Sequence, residues 1–141
     1  TSNTFCRSTR RPALTTEARG LAILVCSPTP ETPELCVTPL IHAAAACALD
    51  CEVEIHFAGP AVRLLVKNVP EHLFPTPARE KSVHAFMQDA VSAGARLLAC
   101  SMAQATWIAN DEQLIPECAG TVGATAYVAR ALDCEWRTLV F

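Results

Sequence analysis

The chain has 141 residues, a net charge of −3, and 51% hydrophobic against 18% charged residues. That length suits one domain with a sizeable core, and the composition excludes disorder of the whole chain. Apolar runs such as Leu21–Cys26 and Leu97–Cys100 are too short to span a bilayer. The only basic cluster, Arg7, Arg10 and Arg11, gives no concentrated footprint for nucleic acid.

Residues 1–19 are polar, rich in Ser, Thr and Arg, and without hydrophobic period. They lack the apolar stretch of a secretory signal, faintly resemble a transit peptide, and read as a flexible tail; residues 20–141 read as a single α/β domain. Leu21-Ala-Ile-Leu-Val-Cys26, closed by Ser27-Pro28, has the profile of a strand buried on both faces. A Pro-rich loop follows. Thr38 as N-cap with Pro39 at the first helical position predicts a helix from Pro39 to about Leu49, slim along Ala43–Ala46.

Cys51-Glu-Val-Glu-Ile-His-Phe57 alternates, with Val53, Ile55 and Phe57 on one face and Glu52, Glu54 and His56 on the other. That pattern predicts a strand towards a sheet edge, with its polar face wet or interfacial. Gly59-Pro60 opens a short helix through Val66, and residues 67–77 form a Pro-rich loop carrying Leu73 and Phe74. Val83, Phe86, Met87, Ala90 and Val91 fall at i, i+3, i+4, i+7 and i+8, the clearest helical period in the chain, and Gly94 stops it. Ala95–Cys100 is the next strand, running straight into Ser101. Further on, the sequence predicts a short helix over about Ala103–Ala109, a small-residue helix over about Ala119–Leu132, and a last strand over Glu135–Phe141. Alternating strands and helices predict a parallel sheet covered on both faces.

The eight cysteines are Cys6, Cys26, Cys36, Cys47, Cys51, Cys100, Cys118 and Cys134. Such a core-rich chain is no disulfide scaffold, and without a CxxC pair no zinc spacing exists. Most of them read as small buried hydrophobes in a reducing compartment, the cytoplasm. Ligands of open α/β sheets bind outside the carboxyl ends of the strands, where Cys26 and Cys100 fall. Cys100 has the better setting, because a helix start follows it and unpaired N–H groups there stabilise a thiolate. Cys118 also reads as preceding a helix start, on a loop returning to the same end of the sheet. On spacing alone, Cys100 reads equally well as the last buried residue of its strand.

The other candidates are weaker. His42, His56, His72 and His84 read as surface residues, with nothing to select one as a base for Cys100. Glu31, Glu34, Asp111, Glu112 and Glu117 read as helix-start or solvated loop charges. Trp107 and Trp136 read as packing residues, Trp107 with the option of rimming a pocket. Ser27–Pro33 lacks the glycines of a dinucleotide fingerprint, which counts against a nicotinamide or flavin cofactor.

Leu21-Ala-Ile-Leu-Val, Ala43-Ala-Ala-Ala, Cys51–Phe57, Gly94-Ala-Arg-Leu-Leu-Ala-Cys100-Ser and Leu114-Ile-Pro-Glu-Cys118-Ala-Gly-Thr-Val-Gly-Ala-Thr-Ala-Tyr127, with the last strand, together resemble the DsrE/DsrF-like family over residues 20–141. The resemblance implies a three-layer α/β/α fold on a mainly parallel sheet of about five strands, usually oligomeric. It implies a sulfur-relay protein that carries sulfane sulfur as a persulfide on Cys100, with no cofactor or metal. Cys118 matches a cysteine of some branches only, as a second or resolving thiol. Implied partners are a TusA-like carrier, a sulfur-metabolising enzyme complex and further copies of the chain. The rival expectation is an oligomeric binding or regulatory module of the same fold without sulfur transfer.

Overall fold

The structure, a computed structural model, describes residues 18–141. Cys6, the basic cluster and most of the expected tail lie outside the described residues. Five parallel strands, β1 (Gly20–Val25), β2 (Glu52–Phe57), β3 (Arg96–Cys100), β4 (Cys118–Val122) and β5 (Trp136–Val140), form one sheet in the order β4-β3-β2-β1-β5. The α-helices are α1 (Val37–Ala48), α2 (Val83–Ala93), α3 (Ser101–Trp107) and α4 (Ala124–Leu132). A 3-10 segment over Gly59–Leu65 packs beside α3.

The topology decides which face each helix covers. From β1 to β4 the chain steps across the sheet in one direction, so right-handed crossovers put α1, α2 and α3 on one face. The step from β4 back to β5 runs the other way, and α4 alone covers the opposite face. The first face holds the main core: Ile23, Val25, Val53, Ile55, Phe57 and Leu97 pack under Leu40, Ala43, Val83 and Met87. The helix read most clearly from its period is α2. Ser82 caps it by accepting a hydrogen bond from the Ala85 N–H, and Gly94 closes it at φ 117°.

Three expectations are corrected. Helix α1 begins at Val37, with Pro39 in its first turn. The first four helical N–H groups have no intrahelical acceptor, so a proline there forfeits no hydrogen bond. The segment expected to open a helix at Ala119 is strand β4, paired with β3, and the helix begins only at Ala124. Strand β2 is the middle strand, and Glu54 and His56 are buried under α4, neither wet nor interfacial.

Candidate functional site

Strand order reverses between β1 and β5, where an open sheet has its natural crevice. Phe141 closes it: its carbonyl accepts from the Cys26 and Ser27 backbone N–H groups and from the Cys26 thiol at 3.3 Å. Cys26 is tied into the framework there.

Beside that closed crevice, the carboxyl ends of β1–β4 and the start of α4 line a half-open cavity of about 380 Å³ with almost wholly apolar walls. Leu24, Ala58 and Val122 line its sheet side, and Gly123, Ala124, Tyr127 and Val128 its helix side. Two groups with chemistry open into it, Cys100 and His56. Cys100 is half-buried, is the last residue of β3 and is also the N-cap of α3, with no loop between strand and helix. Gly123 caps α4 through backbone geometry alone, with no side chain on its first N–H groups, so that end of the nine-residue helix brings donors and positive dipole to the cavity.

His56 stands on a polar platform. Glu54 Oε2 lies 3.0 Å from His56 Nε2, while Arg130 of α4 donates from Nη2 to Glu54 Oε1 at 2.7 Å and from Nε at 3.2 Å. Burial alone would raise the Glu54 carboxyl, but the hydrogen bonds and charges of Arg130 and His56 outweigh it and hold the group below its ordinary value. Tyr127 meets the His56 ring edge-on at 5.4 Å, and the Arg130 guanidinium lies 3.9 Å over Trp136. Sequence reasoning did not select His56. The available signal was parity: with His56 paired to Leu98, the polar side of β2 is the side on which Cys100 stands.

Cys118 sits elsewhere. It opens β4 opposite Leu97, about 10 Å along the strand direction from Cys100. It neither precedes a helix nor shares the cavity. Burial pushes its thiol up, against the opposing pull of backbone N–H groups at Gly120 and Ala99, and its Sγ donates to the Gly120 carbonyl at 3.5 Å.

Several of the remaining candidates have local partners, while Glu31 and Asp111 are exposed. His84 is not a free surface residue: its Nε2 is 2.8 Å from Glu117 Oε1 and 3.8 Å from Glu71. Glu112 is not merely solvated: Arg63 grips both its oxygens at 3.0 Å, and that fork, joined by the Ala109 N–H, lowers its carboxyl to about 2. His42 bonds the Thr38 carbonyl one turn back in α1, and His72 bonds the carbonyl of Asn68 in the turn just before it. Trp136 is buried, and Trp107 is partly exposed away from the cavity.

Fold and cavity together define a class: a parallel α/β/α sandwich with a thiol at the carboxyl edge of its sheet. The chain belongs to the DsrE/DsrF-like family, whose profile matches residues 20–141. Among solved structures, the ychN protein from E. coli has a similar fold, with a TM-score of 0.67 at 12% identity, over 86% of this chain and 99% of that one. No curated protein sequence matches the chain.

Proposed function

We propose that the chain is a sulfur-relay protein that holds sulfane sulfur as a persulfide on Cys100. The observation carrying this reading is the half-buried Cys100 thiol on a half-open apolar cavity, facing the start of α4. The Cys100 thiolate attacks the outer sulfur of a donor persulfide; a new S–S bond forms on Cys100, the donor S–S bond breaks, and the donor leaves as its thiolate. Handing the sulfur on is the same step with an incoming acceptor thiol, and neither direction changes the overall oxidation level. Membership of the family and the absence of a side chain capping α4 both favour an anionic sulfur there. A TusA-like carrier protein and a sulfur-metabolising enzyme complex are the partners this reading implies, in a cytoplasmic setting.

Cys118 has a subordinate place in it. A disulfide needs Cα atoms within about 7 Å, so at about 10 Å any part it takes runs through a carrier that visits both thiols. Self-association is part of the proposal too: Val128, Leu132 and Val140 are 50%, 83% and 63% exposed on the face that α4 covers alone.

Intact-mass measurement after incubation with a small-molecule persulfide donor tests the relay. Wild type gains one or more sulfur masses, Cys100→Ser gains none, and Cys118→Ser loads as wild type does. Equal loading of Cys100→Ser, or no loading of wild type, overturns the relay in favour of a non-covalent binding module.

A further inference from the structure

His56 and Glu54 are 4% and 6% exposed, sealed between the sheet and α4, yet His56 opens into the cavity that holds Cys100. Glu54 is held below its ordinary pKa and is therefore a carboxylate, which can only accept hydrogen bonds. The His56 Nε2 facing it at 3.0 Å is therefore the donor of that hydrogen bond, which leaves Nδ1 as the ring nitrogen turned away from Glu54. The side-chain hydrogen bond of the ring runs through Nε2. The ring is fixed by Glu54 on one side and by the edge contact with Tyr127 on another. His56 pairs with Leu98, so Cys100 lies two residues farther along the neighbouring strand on the same face, with Cα atoms about 8 Å apart. Both side chains line one cavity, with no direct hydrogen bond between them, so the route for a proton is through one intervening water.

We infer that His56 is the proton acceptor for the Cys100 thiol, with Glu54 and Arg130 as its positioning residues. The inference rests on the relay reading for its sulfur step only. The Cys100 S–H bond breaks, sulfur keeps the electron pair, and Nδ1 takes the proton, giving an imidazolium beside the Glu54 carboxylate. When the thiolate takes sulfur from a donor persulfide, the proton passes from Nδ1 to the departing donor thiolate, and His56 returns to neutral. The groups facing His56 are Glu54 of β2, Tyr127 and Arg130 of α4, and Cys100 and Arg96 of β3, the last 3.9 Å from Glu54; β1 contributes only Ala22 and Leu24.

The test is the pH profile of Cys100 alkylation by iodoacetamide in the full chain, read peptide by peptide so that the other thiols serve as references. In wild type, Cys100 stays reactive below the ordinary thiol range of about 8.5, because the imidazolium holds the thiolate. His56→Asn moves the profile up to that range, slowing alkylation at about pH 6.5 roughly tenfold. Coupling between two sites is reciprocal, so Cys100→Ser must shift the His56 imidazole titration followed by NMR, a measurement that needs no substitution in the buried network. An unchanged Cys100 profile in a folded His56→Asn, or an unchanged His56 titration in Cys100→Ser, overturns the inference. Sulfur uptake with a profile indifferent to His56 keeps the relay and discards the proton partner. A His56-dependent profile without sulfur uptake does the reverse.

Discussion

At the scale of single residues, the buried carboxylate Glu54 ties His56 of the cavity wall to Arg130 of α4. Removing it leaves the Arg130 and His56 groups without their partner, and breaking a buried pair from one side costs about 3–5 kcal/mol. Arg130 is one-third exposed and recovers some hydration, so Glu54→Ala should lose about 3 kcal/mol in denaturant unfolding, the low end of that range. The sign with pH follows from the folded carboxyl lying below its unfolded value. Its contribution is fully present above the unfolded value of about 4.3 and is lost as pH falls through the lower, folded one. The stability gap between wild type and Glu54→Gln should therefore narrow in acid. Cys36 is the opposite kind of group: burial first, then the nearby Glu34 charge, raises its thiol to about 12. It should stay unalkylated at neutral pH in the folded chain while exposed Cys134 reacts, a contrast that peptide-level mass spectrometry reads directly.

At the scale of elements, the junction of β1 with β5 leaves no room for a side chain at Gly20, where an added Cβ would run into the buried Trp136 ring. Gly20→Ala should cost about 1–3 kcal/mol, seen as a lowered thermal midpoint. The segment after α3 is pinned by Glu112, whose carboxyl stays ionised down to about pH 2 through the Arg63 fork. Glu112→Ala should speed amide hydrogen exchange across residues 108–116 with little effect on the central strands. The elements also show what the sequence made legible. Helix α2 could be read because its apolar residues keep one period and a serine and a glycine bracket it. The Cys100 setting could be read because Ser101 follows an apolar strand directly. Strand β4 could not: Cys118-Ala-Gly-Thr-Val is short and small, suits a strand or a helix start, and is decided only by pairing with β3. The polar side of β2 was visible, but its burial was not, because the partner of Glu54 is Arg130, 76 positions along the chain. No local spacing announces a contact of that range.

At the scale of the whole molecule, the two faces of the sheet are unequally dressed. One carries α1, α2, α3 and the 3-10 segment; the other carries a single nine-residue helix with no fully buried residue of its own. Under the self-association proposed above, the apolar side chains left open on that side pack against a second copy of the chain. Leu132→Glu should then shift the species seen by size-exclusion chromatography with light scattering towards monomer while leaving the helical and strand signal intact. No described helix is long and apolar enough to cross a membrane.

Cys100 ends a strand and caps a helix in the same residue, with regular structure on both sides. It therefore has no tether on which to swing. Its only freedom is rotation of one short side chain, and one added sulfur lengthens its reach by about 2 Å. A thiol so mounted is a fixed post and not a moving arm. In the proposed relay, the donor and the acceptor of sulfur must therefore bring the mobility themselves, on a tip slender enough to enter the mouth of the cavity.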